Sequence, residues 1–240
     1  MGSALSSQPV NTASFDFVGI LENLLARDLR GKEITLTFSN HQSVKHLIES
    51  LGVPHVEVGS VTANGEPVEW RYRPRTGDRI VVQPATGCPT EPHFLLDNHL
   101  GRLAAYLRML GFDSQYDNAF SDEQMAEILE SDARILLTRD RRLLMRKVVR
   151  YGYCLRSLEP QEQLQEVIHR FNLKPSIKPF HRCLRCNGIL QPVEKATVLD
   201  RLEPKTKLYY NEFAHCPDCD QIYWKGSHFE RMEKLIAQTL

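Results

Sequence analysis

Four cysteines near the C-terminus form two matched pairs, Cys183-Leu-Arg-Cys186 and Cys216-Pro-Asp-Cys219, with 29 residues between the pairs. Two residues between cysteines let one tight turn present both sulfurs to the same ion. Zinc takes four tetrahedral ligands, and thiolates suit it. Asn187-Gly188 after the first pair fits such a turn, and Gln221-Ile-Tyr-Trp224 after the second reads as a returning strand. A four-cysteine zinc ribbon is expected, against the alternative of two redox Cys-x-x-Cys motifs. Four sulfurs leave no open coordination position, so this zinc is structural. His181, His215 and His228 lie close by in the sequence but are expected at the surface rather than on the metal.

Three carboxylates suggest a second kind of site. Asp97 ends the apolar stretch His93-Phe-Leu-Leu, Asp140 follows Arg134-Ile-Leu-Leu-Thr138, and Asp122 stands at the head of a helical pattern before that second stretch. Parallel α/β sheets place their sites at the C-terminal ends of strands. Three converging carboxylates would repel one another unless they shared a hard cation such as Mg2+ or Mn2+, which keeps several waters. Such waters can attack a phosphodiester. Taken singly, each aspartate could equally be a turn residue or a helix cap.

Around Asp140 the chain is strongly basic. Arg134, Arg139, Arg141, Arg142, Arg146, Lys147, Arg150 and Arg156 stand against that single acid. A local positive patch in an otherwise balanced chain points to phosphate backbone, with a solvated helix face as the alternative. Tyr209, Tyr210, Tyr223 and Trp224 could stack on bases or pack the ribbon.

The elements that must position these residues are also legible. The chain has 240 residues, with 30 Lys+Arg balanced by 30 Asp+Glu, 42% hydrophobic and 25% charged residues. That composition is globular and excludes binding of polyanions by bulk charge. No apolar run approaches the roughly 20 residues of a membrane span, and no signal peptide is evident, so a cytoplasmic protein is expected.

Residues 1–12 read as a disordered tail. A small α+β unit follows over 13–86. Its signals are the alternating Glu33-Ile-Thr-Leu-Thr-Phe-Ser39, the helical stripe Val44, Leu47, Ile48, Leu51 with Ser43 as N-cap, and the turns Asn64-Gly65 and Gly77-Asp78. A Pro- and Gly-rich linker covers 87–92. Apolar strands then alternate with the helical stripes Leu100–Leu110, Met125–Leu129 and Leu164–Phe171, which implies a mainly parallel α/β sheet over 93–175. The cysteine-rich region occupies 176–240.

The stretch Phe94-Leu-Leu-Asp-Asn-His-Leu-Gly-Arg-Leu-Ala-Ala-Tyr-Leu-Arg-Met-Leu-Gly-Phe-Asp113, the Ile135-Leu-Leu-Thr-Arg-Asp140 motif, Cys183-Leu-Arg-Cys-Asn-Gly188, Cys216-Pro-Asp-Cys219 and Tyr223-Trp-Lys-Gly-Ser-His228 resemble, in order, the Mut7-C ribonuclease family. The resemblance implies a PIN-like nuclease domain carrying a zinc ribbon. The N-terminal unit resembles the ubiquitin-like β-grasp domain often fused to it, through Ser43–His55 and the two turns. By this resemblance Asp97, Asp122 and Asp140 are the catalytic, Mg2+- or Mn2+-binding residues. Arg102, Arg139, Arg141, Arg142, Arg146 and Lys147 hold the RNA, and Cys183, Cys186, Cys216 and Cys219 hold zinc. A fourth acid of the PIN pattern has Asp117, Glu123 and Glu127 as candidates. Because the β-grasp unit runs on past Pro84-Ala-Thr-Gly-Cys88, sulfur-carrier chemistry is not expected. The unit is expected to bind a protein partner or RNA instead. The competing reading is a non-catalytic RNA-binding or adaptor protein of the same fold.

Overall fold

A computed structural model describes residues 10–87 and 89–239. The elements run β1 (Val10–Phe17), β2 (Ile34–Ser39), α1 (Val44–Ser50), β3 (Val58–Ala63), β4 (Glu66–Pro67), β5 (Arg79–Pro84), β6 (Phe94–Leu96), α2 (Gly101–Met109), β7 (Ser114–Gln115), α3 (Asp122–Ser131), β8 (Ile135–Thr138), α4 (Arg141–Leu144), β9 (Tyr151–Cys154), α5 (Pro160–Phe171), β10 (Gln191–Val193), α6 (Lys195–Val198), α7 (Pro204–Tyr209), β11 (Phe213–His215), β12 (Ile222–Trp224) and α8 (Ser227–Thr239). Among the described residues no helix is long and apolar enough to cross a membrane. The chain divides into two compact units. One comprises residues up to Thr86 together with Thr138–Cys154, and the other comprises Gly87–Leu137 together with Leu155 onward.

In the first unit a five-stranded sheet has the order β2-β1-β5-β3-β4. β1 pairs antiparallel with β2 and parallel with β5, and β5 pairs antiparallel with β3. The strand pleat turns Ala13, Phe15 and Phe17 of β1 into the core with Ile34, Phe38, Val61, Ile80 and Val82. Helix α1 adds Val44, Leu47 and Ile48 to that core, and the Ser43 hydroxyl caps it by accepting the His46 N–H. Asn64 and Gly65 take positive φ (55° and 89°) and join β3 to β4 as the Asn-Gly signal requires. Asp78, nearly buried, ties this end together by accepting from the Tyr72 hydroxyl (2.6 Å), the Asn64 amide (2.8 Å) and the Arg75 N–H (2.8 Å). Composition assigns residues 1–12 to a tail, but pairing with β2 extends β1 back to Val10, because Val10 and Asn11 face Ser39 and Phe38. Residues 1–9 lie outside the described residues.

A four-stranded sheet has the order β7-β6-β8-β9, with β6 parallel to both its neighbours. Phe94, Leu95, Leu96, Ile135, Leu136 and Leu137 are all fully buried, as strands covered on two faces must be. Leu103, Ala104, Leu107 and Leu110 of the α2 region and Leu164, Val167, Ile168 and Phe171 of α5 supply the covering stripes. Phe94 meets Phe112 and Phe171 edge to face, both at 6.0 Å between centroids. Helix α2 stops at Gly111, whose φ is +94°. A Cβ there would come within 2.3 Å of the Lys178 carbonyl, so glycine is required where that segment crosses the helix end. Helix α3 is capped by Ser121, not Asp122. The Ser121 hydroxyl accepts the Gln124 N–H while the Gln124 side chain takes the Ser121 N–H, a reciprocal pair that wins over the carboxylate one residue later. The ribbon is a three-stranded antiparallel sheet, β10-β11-β12, over a small core of Val198, Leu202, Phe213 and Ile222.

Candidate metal centre and active site

The ribbon presents its sulfurs through two turns of the same design. The Cys183 N–H donates to the Gly188 carbonyl (2.7 Å), and the Asn187 N–H returns to the Cys183 carbonyl (3.0 Å). In the second turn the Cys216 N–H donates to Gln221 (2.9 Å) and the Asp220 N–H to Cys216 (2.8 Å). Asn187 and Asp220, each four residues after the first cysteine of its turn, are both left-handed, with φ of 76° and 60°. A Cβ at Gly188 would come within 2.1 Å of the Asp218 carboxylate, which would have to turn away, and within 3.1 Å of the Cys216 sulfur.

All four sulfurs lie within 4.8 Å of one another. Cys183 and Cys219 are 3.5 Å apart, and Cys186 and Cys216 are 3.4 Å apart. A zinc tetrahedron with bonds near 2.3 Å has edges of about 3.8 Å, so the cluster can hold a zinc ion with small adjustments. The protons are unevenly held. Burial disfavours the Cys183 thiolate, but hydrogen bonds from the Tyr223 hydroxyl and the Cys186 and Arg185 amides outweigh it and bring its pKa to about 7. Burial, followed by the neighbouring cysteines, pushes Cys186 up to about 12. A divalent cation removes that conflict by favouring thiolate at every position. His215 takes no part. It lies 2.7 Å from Asp220, which also pairs with Arg201. The His228 side chain is outside the described residues.

Two residues without a role in the sequence reading seat the first turn on the α/β unit. Arg108 of α2, 4% exposed, donates from Nε to the Ser114 carbonyl (2.9 Å) and from Nη1 to the Leu184 (3.1 Å) and Arg185 (2.9 Å) carbonyls between the first two cysteines. Burial lowers its pKa, opposed by the Cys183 and Cys186 sulfurs and by Asp113. Asp113 accepts from Arg134 (2.6 Å) and from the Asn187 amide (3.0 Å), and Arg182 lies 3.3 Å away. Burial would raise its pKa, but these partners hold it below the ordinary carboxyl value. The available sequence signal was an arginine inside the apolar run Leu107-Arg-Met-Leu110. Arg134 is thereby committed to Asp113.

The aspartates sit at element ends. Asp97 directly follows β6, its N–H donates to the Leu137 carbonyl (3.1 Å), and its Oδ1 accepts the Asn98 N–H (2.7 Å). Asp122 is exposed in the first turn of α3. Asp140 caps α4 by accepting the Arg142 N–H (2.7 Å), and its own N–H donates to Thr138 Oγ1 (2.9 Å). Among the described residues, the four cysteines are the group of three or more potential ligand side chains with atoms within 4.8 Å of one another. Asp140 belongs to a different compact unit from Asp97 and Asp122. Of the fourth-acid candidates, Asp117 accepts the Ala119 N–H (2.9 Å), and Glu123 and Glu127 lie on α3.

The basic stretch divides. Arg102, Arg139, Arg142 and Lys147 are exposed. Arg141 is half-buried and donates to the Leu24 carbonyl (2.5 Å), which ties its guanidinium to the protein itself. Helix α4 is only four residues long, so Arg146 and Lys147 lie beyond it rather than on a shared helix face.

A ubiquitin-like mixed sheet, an α/β unit with parallel strands and a four-cysteine ribbon define a multidomain chain of nuclease-and-ribbon type. The chain belongs to the Mut7-C RNAse family: the model described as Mut7-C RNAse domain matches residues 92–236, and the model described as Mut7-C ubiquitin matches residues 10–88. No curated protein and no solved structure matches the chain. The match gives the chain a ribonuclease-type domain.

Proposed function

We propose that the chain is a Mg2+- or Mn2+-dependent ribonuclease that hydrolyses RNA phosphodiester bonds through Asp97, Asp122 and Asp140. The observation that carries this reading is the strand register. Leu96 of β6 is paired with Leu137 of the parallel strand β8, so Asp97 and Asp140 follow the same ends of neighbouring strands. Ligands of open α/β sheets gather at such ends. A divalent cation there would supply an activated water and charge stabilisation. Exposed Arg102, Arg139, Arg142 and Lys147 would hold the phosphate backbone.

In the ribbon, Cys183, Cys186, Cys216 and Cys219 hold zinc and shape a cleft of about 560 Å3 lined by Phe213, Tyr223, Trp224 and Phe229, with Lys195 and Lys225 among its polar groups. Trp224 is 38% exposed. Gly226 packs so closely against it that a Cβ would come within 2.9 Å of the indole nitrogen. A fixed, exposed indole in such a cleft suits stacking on an unpaired base. Tyr210, packed on the ribbon core, is left as a structural residue, and Tyr209 is exposed.

The competing reading is a non-catalytic RNA-binding or adaptor protein of the same fold. Asp140→Asn separates the two. Asparagine caps helices as well as aspartate does, so α4 and the melting temperature stay close to wild type while Mn2+-dependent cleavage of single-stranded RNA is lost. Undiminished cleavage by this variant removes Asp140 from the site, and an inert wild-type protein that still binds RNA supports the adaptor.

A further inference from the structure

The ubiquitin-like unit holds a piece of the nuclease sequence. Thr138–Cys154, which falls within the Mut7-C RNAse match, is compact with residues up to Thr86. Hydrogen bonds join this segment to the unit at its start, its middle and its end. At the start, Arg141 Nη1 donates to the Leu24 carbonyl (2.5 Å). Gly52 leaves room for that guanidinium: its φ is +87°, and a Cβ there would sit 3.2 Å from Arg141 Nη1 and 3.6 Å from the Leu24 oxygen. In the middle, His55 Nε2 lies 3.2 Å from the Val149 carbonyl, while Nδ1 of the same ring lies 2.8 Å from Glu49. At the end, the Cys154 N–H donates to Glu57 Oε1 at 2.6 Å.

Glu57 is the most telling of these residues. It is 1% exposed, and a carboxylate is costly to bury unless hydrogen bonds satisfy it. The segment's own Leu143, Leu144, Val149, Tyr153 and Cys154 are buried as well. The surface formed by Leu24, Gly52, His55 and Glu57 is therefore already occupied by this chain.

We infer that the ubiquitin-like unit is a positioning element of the nuclease. Through Leu24, His55 and Glu57 it fixes the 138–154 segment, and with it Asp140, which directly precedes the tethered Arg141. The inference rests on the assignment of Asp140 to the cleavage site. Holding a reactive side chain through the residues that follow it is what supporting residues do in precise sites. Glu57 and His55 are thus positioning residues, and they touch no substrate.

The test uses the zinc-loaded full-length protein. Glu57→Ala removes the acceptor, and Glu57→Gln keeps an oxygen in its place. Arg141→Met releases the other end of the segment without disturbing the buried acid, which covers the case in which Glu57→Ala does not fold. Amide hydrogen exchange and the kcat and KM of Mn2+-dependent RNA cleavage are measured for each. In Glu57→Ala and Arg141→Met, amides of residues 141–154 should exchange at least about tenfold faster, the factor a charge-assisted hydrogen bond is worth. Amides of β1, β2 and the ribbon should keep wild-type rates, kcat should fall about tenfold or more with KM within about twofold, and Glu57→Gln should stay near wild type on both readouts. Unchanged exchange in the segment, loosening of the whole five-stranded sheet together with it, or a loosened segment with full kcat would each overturn the inference. A raised KM without faster exchange in Arg141→Met would make Arg141 a substrate contact and not a tether. An inert wild-type protein would instead overturn the ribonuclease reading and the catalytic half of this inference with it. The exchange pattern would still decide whether the unit holds the segment.

Discussion

Replacing Arg108 with methionine removes the guanidinium that seats the first cysteine turn while keeping most of the apolar stem. Three bonds are lost, to the carbonyls of Ser114, Leu184 and Arg185. A hydrogen bond from a charged donor contributes roughly 1.5–3 kcal/mol in place. The variant also escapes the cost of burying the charge, and water can partly re-solvate the turn carbonyls. The net loss should therefore be about 3 kcal/mol rather than the sum of the three bonds. For a chain of this size each kcal/mol shifts Tm by about 2–4 °C, so Arg108→Met should melt about 6–12 °C lower. The Leu184 and Arg185 carbonyls lie between two sulfur ligands, so zinc should also be held about 10–100-fold more weakly, as for other outer-shell changes. Chelator competition reads the zinc affinity and a thermal melt reads the stability. Arg108→Lys, which keeps the charge but cannot reach all three carbonyls, should fall between. If Arg108→Met bound zinc as tightly as wild type and melted at the same temperature, the turn would be self-supporting and Arg108 a space-filling residue.

Other expectations concern separate parts of the molecule. Cys216→Ser should leave the ribbon unable to retain zinc, since structural zinc is worth roughly 10–16 kcal/mol in small peptides; stoichiometric zinc by elemental analysis in this variant would contradict the four-sulfur site. Asp78 has its pKa held down by the Arg75 N–H, the Tyr72 hydroxyl and the Asn64 amide, against a burial effect that alone would raise it. Its contribution to stability is complete above the ordinary value of 3.8 and is lost as pH falls through the depressed one. Asp78→Asn should thus melt about 4–8 °C below wild type at pH 7, from about 2 kcal/mol of charge-assisted bonding, with the gap closing in strong acid; a gap independent of pH would show that the charge is not what matters. Arg142→Ala with Lys147→Ala, in the Asp140→Asn background, should make the plot of log RNA affinity against log salt shallower by about 1.4, at about 0.7 per phosphate contact on a single strand; an unchanged slope would mark both as a solvated face.

What could be read from the sequence is what depends on neighbouring residues. The cysteine turns are short enough for spacing to determine them, and Asn64-Gly65 and Ser43 act within a few residues of themselves. The start of β1 is hidden because Asn11 and Thr12 look like tail composition, and only pairing with β2 makes a strand of them. Asp122 reads as a cap because the reciprocal Ser121–Gln124 pair is a matter of geometry and not of residue type alone. The tie of Arg141 to Leu24 and of Cys154 to Glu57 spans 117 and 97 residues, a separation at which charge counting shows a basic patch but not its partner. Arg108 is visible as an arginine in an apolar stripe. Its target carbonyls, 76 and 77 residues away, are not.

The most direct test of the ribonuclease assignment is to locate Mn2+ by anomalous diffraction in crystals of the zinc-loaded protein grown with a non-hydrolysable single-stranded RNA. A peak coordinated by Asp97, Asp122 and Asp140, distinct from the zinc peak among the four cysteines and absent in Asp140→Asn, is the expected result. Bound RNA with no Mn2+ at these carboxylates, or Mn2+ held elsewhere beside the scissile phosphate, would contradict it.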